Sequence, residues 1–155
     1  MRPENSSVYF IHRQTAGFSA MELMIVLATL ALLAALQYPS YQESVRKARR
    51  AEVRAALMQL MQQQERYYSQ HTSYVAFSAV APNGFKWYSG DSPAVSAYEI
   101  SAMACTRDVI QNCVALVAQP GTKRVKHDYT DDACGSLTLT SNGVQTASGP
   151  SVSCW

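Results

Sequence analysis

Glu22 is the residue whose chemistry most needs explaining. It lies inside the run from Phe18 to Leu36, 19 residues that are otherwise apolar apart from Ser19 and Thr29. As a helix that run would reach roughly 28 Å, close to the hydrocarbon thickness of a bilayer. An ionisable group at such depth is costly and calls for a partner. The small residues Ala16 and Gly17 precede the apolar run, whereas an ordinary secretory signal is cut behind its apolar core. A cut after Gly17 would leave an α-ammonium on Phe18, one helical turn from Glu22. In a bundle of identical helices, Glu22 of one subunit could then neutralise Phe18 of the next, a pair tolerable in apolar surroundings when its geometry is good. The competing reading is an uncleaved signal anchor with Glu22 near the interface.

The second chemical set is four cysteines, Cys105, Cys113, Cys134 and Cys154, all downstream of the apolar run. An even count in a small tethered domain points to an oxidising compartment and two disulfides, with three pairings open to the sequence. No close Cys-x-x-Cys pair of the kind structural zinc favours is present. Nothing points to catalysis or to a cofactor. The histidines are His12, ahead of the candidate cut, His71 and His127, and there is neither a Gly-x-Ser-x-Gly turn nor a phosphate loop. His71 reads as a helix-terminal residue favoured by the helix dipole.

The third set is basic. The stretch "GTKRVKHDY", residues 121–129, gathers Lys123, Arg124 and Lys126 beside His127 and Tyr129, and with Lys86 and Trp87 it could form an aromatic-edged patch for DNA phosphates and bases. Asp128, Asp131 and Asp132 sit beside it and reduce its charge. A solvated surface or a subunit contact is the plainer reading. The net charge of +2 argues for no nucleic-acid partner by itself. Arg46, Lys47, Arg49, Arg50 and Arg54, against Glu43 and Glu52, read as a solvated or subunit-facing helix surface. The positive-inside rule would hold these charges in the cytoplasm, in conflict with cysteines that must reach an oxidising space.

These groups need elements to position them. Residues 41–70 continue as a helix whose stripe of Val45, Ala48, Glu52, Ala56, Leu60, Gln64 and Tyr67, flanked by Val53, Leu57 and Met61, grows more apolar after Val53. Pro39 predicts a kink or local melting near Leu36 to Gln37. Residues 97–105 alternate as a half-buried strand, 113–120 form a second ended by Pro120, and 136–148 read as a hairpin turning at Asn142-Gly143. The aromatics of 74–88 read as packing groups. One long helix on three or four antiparallel strands makes an α+β subunit.

The stretch "GFSAMELMIVLATLALLAALQYPSY" resembles the class III signal of type IV pilins and pseudopilins, departing from it at Ser19 and Ala20 where the family carries Thr and Leu. The motif "DDACGSLTL", the Asn142-Gly143 turn and the closing Cys154-Trp155 resemble the C-terminal signature of PilE-like minor pilins of Gram-negative bacteria, a group that includes the competence pilin ComP. The resemblance implies the type IV pilin fold, with residues 1–17 a cleaved leader, 18–39 a transmembrane and fibre-core helix, and 40–155 the amphipathic helix and globular domain. It implies cutting at Gly17 and N-methylation of Phe18 by prepilin peptidase, with Glu22 as the assembly acid and Pro39 as the break in the helix. It also implies a Cys134–Cys154 disulfide and, with it, Cys105–Cys113. The expected role is a minor pilin of a type IV pilus supporting assembly, adhesion or twitching motility; the alternatives are a DNA-binding competence pilin or a major pilin. Its expected partners are other pilins, the inner-membrane assembly platform, the bilayer before assembly, and DNA under the competence reading. The expected path runs from the inner membrane to a fibre outside the cell.

Overall fold

A computed structural model describes Gly17 and residues 19–155, the side chains of residues 36–39 excepted. Residues 1–16 of the expected leader, Phe18 and the side chain of Pro39 therefore lie outside the described residues. The chain divides into two units, the first ending at Tyr41 and the second spanning Gln42–Trp155. A single helix, α1 (Ala20–His71), runs through both.

In the first unit α1 opens with the Leu23 amide on the Ser19 carbonyl at 3.1 Å, with Glu22 in the first turn. Its apolar side chains, from Met21 to Leu33, stand exposed, as on a helix that must find its partners in a bilayer or among other helices. Among the described residues no single helix is long and apolar enough to cross a membrane, while Ala20–Ala35 and Ser40–His71 taken together pass by length and composition. Pro39 does not end the helix, since the backbone is helical from Ala20 to His71, so no local melting interrupts it. The kink expected near Leu36 to Gln37 is present, the helix bending between Ala35 and Ser40.

In the second unit the buried face of α1 is Arg50, Val53, Ala56, Leu57, Leu60 and Gln64, spacings of three and four that place them on one stripe. Val45 is exposed, so the apolar cover begins near Val53, with Arg50 buried one turn ahead of it. Gln64 is fully buried and clasps the chain that follows, donating Nε2 to the Val75 carbonyl at 2.7 Å and accepting the Val75 amide at 3.1 Å. The helix ends where Thr72, at φ 52°, turns into the left-handed region and donates its amide to the Tyr68 carbonyl at 2.8 Å. His71 bonds the Tyr67 carbonyl at 3.0 Å through Nδ1 and stacks on the Tyr67 ring.

The sheet is an antiparallel meander in the order β1 (Tyr98–Ala104), β2 (Val114–Pro120), β3 (Leu137–Thr140), β4 (Gln145–Ala147). Tyr98, Ile100, Ala102, Leu116, Ala118, Leu137 and Leu139 turn inward against α1, as the two-residue period requires. The free edge of β1 is covered. Phe77 pairs with Ala102, and the 87–89 segment runs beside Tyr98–Ile100, with the Ile100 amide on the Trp87 carbonyl at 2.7 Å and the Ser89 amide on the Tyr98 carbonyl at 3.1 Å. The aromatics expected to pack do so for the most part: Tyr74 and Phe77 are buried, and Phe85 and Trp87 lie against the core. Tyr88 is half-buried but lies outside the core cluster. Cys105 is joined to Cys113 and Cys134 to Cys154. The second bridge sits in the core and closes the chain after β4 onto the turn before β3.

Candidate nucleic-acid interface

The basic loop begins where β2 stops. Gly121 takes φ 61° and donates its amide to the Ala97 carbonyl at 3.1 Å. A Cβ there would collide with the Tyr129 carbonyl oxygen, so the position requires glycine. Val125 is buried and the Lys126 amide bonds the Ser96 carbonyl at 2.9 Å. These two anchors leave Lys123, Arg124 and Lys126 exposed.

On the outer face of the sheet, Glu99 lies across from Tyr88 on one side and Gln119 on the other. Its carboxylate accepts the Thr122 hydroxyl and, at 3.4 Å, Arg124 Nη1. Lys86 Nζ lies 5.0 Å from the centre of the Tyr88 ring, and Trp87 meets that ring edge-on. The fold thus links two segments distant in sequence: Tyr88, with Lys86 over its ring, pairs with Glu99 from one side, and Thr122 and Arg124 bond the Glu99 carboxylate. Four cations stand against two carboxylates, Glu99 and Asp128, the latter 3.9 Å from Lys126 Nζ. Among the described residues Lys86 and Lys123 form no ion pair. The arrangement offers cations to phosphates and an aromatic edge beside them.

Asp131 departs from the sequence reading. It does not dilute the basic loop, because it is buried beneath it. Arg50 grips its carboxylate with Nε at 2.8 Å and Nη2 at 2.6 Å, the Tyr98 hydroxyl donates to Oδ2 at 2.7 Å, and the Cys134 amide donates to Oδ1 at 3.2 Å. The Arg50 and Asp131 side chains are 8% and 0% exposed, so Arg50 is not the surface charge expected. Burial pushes the Asp131 carboxyl up, but Arg50, Tyr98 and the Cys134 amide outweigh it and hold it below its ordinary value. Burial raises the Tyr98 phenol well above its usual range, so it stays protonated and donates. The pair ties α1 to the turn that carries Cys134. The sequence held one hint of it, an arginine on the apolar stripe a turn before Val53.

Glu22 and Gly17 are exposed in the first unit; the pairing expected between Glu22 and Phe18 concerns a residue outside those described. Among the described residues no group of three or more His, Cys, Asp or Glu side chains is placed to hold a metal.

No curated protein matches the chain. Among solved structures it is similar to a type IV pilin from Shewanella oneidensis, at 27% identity over 70% of this chain and 94% of that one, with a TM-score of 0.44. Residues 39–138 match the family described as type IV minor pilin ComP, DNA uptake sequence receptor. That match spans well over half the sequence: the chain belongs to the type IV pilins, in the family of ComP minor pilins.

Proposed function

We propose that this minor pilin is a DNA receptor for uptake, carried in a type IV pilus, and that it holds DNA phosphates on Lys86 beside Tyr88, Arg124 beside Glu99, and the exposed Lys123 and Lys126 of the same loop. The observation that carries the reading is this arrangement, in a chain whose family is described as a DNA uptake sequence receptor. Contacts to phosphate position a duplex and supply most of its salt-sensitive affinity, without reading sequence. Entry to the fibre would follow cleavage after Gly17, N-methylation of Phe18 and pairing of Phe18 with Glu22 of a neighbour, with Pro39 giving the helix its bend. Before assembly the chain would sit in the inner membrane by its apolar helix.

The test is retention of duplex DNA by the detergent-solubilised full chain, comparing wild type with Lys123→Ala/Arg124→Ala/Lys126→Ala. With four phosphate contacts, wild-type affinity should fall about 150-fold between 50 and 200 mM salt; with one contact left it should fall about 3.5-fold. A variant that keeps wild-type retention and salt dependence would refute the interface. The second reading, a structural subunit without DNA binding, is favoured by the carboxylates that face Arg124 and Lys126, and it would then stand.

A further inference from the structure

The basic run of α1 is not uniformly satisfied. Arg49 pairs with Glu52 at 2.8 Å, Arg50 with Asp131, and Arg46 lies 4.0 Å from Glu43. Lys47 and Arg54 have no carboxylate partner among the described residues. Both wall the same recess, of about 410 Å³, set between α1 and the chain around Ser151 and Ser153. Positions 47, 50 and 54 share one helix face. The third wall is therefore Arg50, whose Nε and Nη2 are committed to Asp131 while Nη1 has only Glu43 at 4.0 Å. Lys47 and Arg54 thus line the notch together with Glu43, a guanidinium held by Asp131 is fixed behind them, and the opposite wall carries Ala133 and two serines.

This notch is separate from the basic loop. Arg49, on the other flank of α1, lines a different recess with Lys126 and His127. A run of duplex phosphates, one charge per roughly 1.7 Å of axis, needs an extended track, whereas a recess of this size between helix and loop seats a single acidic side chain. We propose that the Lys47–Arg54 notch receives a carboxylate presented by a neighbouring pilin subunit, a contact that fixes this subunit in the fibre. The inference rests on the reading of the chain as a pilus subunit. Lys47 and Arg54 outnumber Glu43 in the lining, so a carboxylate seated between them and the fixed guanidinium makes a directional contact, and reversing one side sets like charges against each other.

The test uses the full chain in the cells that make it. Lys47→Glu/Arg54→Glu should lower its recovery in sheared pili at least tenfold, with membrane levels, thermal unfolding and DNA retention of the purified protein unchanged. Lys47→Arg/Arg54→Lys, which keeps the charges, should assemble normally. A photocrosslinking residue at Ser153 should join the chain to another pilin in intact pili. The proposal is overturned if the reversed variant assembles within twofold of wild type, or if Ser153 crosslinks to DNA and not to pilin. Wild-type chain absent from pili would instead overturn the subunit reading, and the proposal with it.

Discussion

Replacing Arg50 with methionine keeps most of the aliphatic stem and removes the guanidinium from Asp131. The carboxylate would be left with the Tyr98 hydroxyl and the Cys134 amide at a site whose side chain is fully buried. Stranding one partner of a buried ion pair costs about 3–5 kcal/mol. In a unit the size of Gln42–Trp155, each kcal/mol moves the midpoint by about 4 °C, so a fall of roughly 12–20 °C is expected. Circular dichroism of the full chain in mild detergent would measure it. Arg50→Met/Asp131→Leu removes both charges and leaves chiefly the Cys134 amide unsatisfied, since the Tyr98 hydroxyl lies 3.5 Å from that of Tyr129, a loss of about 1–3 kcal/mol, so the double variant should be the more stable of the two. The pair also sets an acid limit. The folded carboxyl lies below its ordinary value of 3.8, so its contribution is complete above that value and is lost as pH falls through the folded one. Wild type should therefore lose stability below about pH 4 more steeply than the double variant. A single variant that melts within about 4 °C of wild type, or a double variant no milder than the single, would refute the argument.

Glu99→Gln removes the carboxylate that Thr122 and Arg124 hold; it should strengthen DNA retention while leaving the salt dependence at that of four phosphate contacts, about 150-fold between 50 and 200 mM. Gly121→Ala forces a Cβ onto the Tyr129 carbonyl at a positive φ, so the loop must shift; a stability loss of at least about 1 kcal/mol and weakened retention should appear together in unfolding and binding assays. Cys134→Ala/Cys154→Ala opens a 20-residue separation and should cost about 3 kcal/mol in denaturant unfolding on the chain-entropy argument.

The helix and the four strands were legible because each is written in short-range periodicity. The stripe from Val53 to Gln64 repeats every three to four residues, and β1 alternates residue by residue. The Asn142-Gly143 turn was legible for the same local reason: Gly143 takes the positive φ of 77° that a tight turn needs. The basic loop was visible as a charge cluster, but Glu99 was not assigned to it, since a strand residue 25 positions from Arg124 carries no mark of that meeting. Asp131 was misread for the opposite reason: adjacent to the loop in sequence, it was counted with the surface although its side chain turns inward.

By itself, then, the sequence determined what depends on neighbours along the chain: an apolar helix bearing one acid, an amphipathic continuation, a meander of short strands, and a cysteine set fit for two bridges. Only the tertiary structure decided which charges are free. Arg50 and Asp131, 81 residues apart, cancel each other in the interior, while Lys47 and Arg54 on the same helix pair with no carboxylate among the described residues. Charge is counted along a sequence, but its effect depends on distance and on exclusion of water, and only the packed chain sets those.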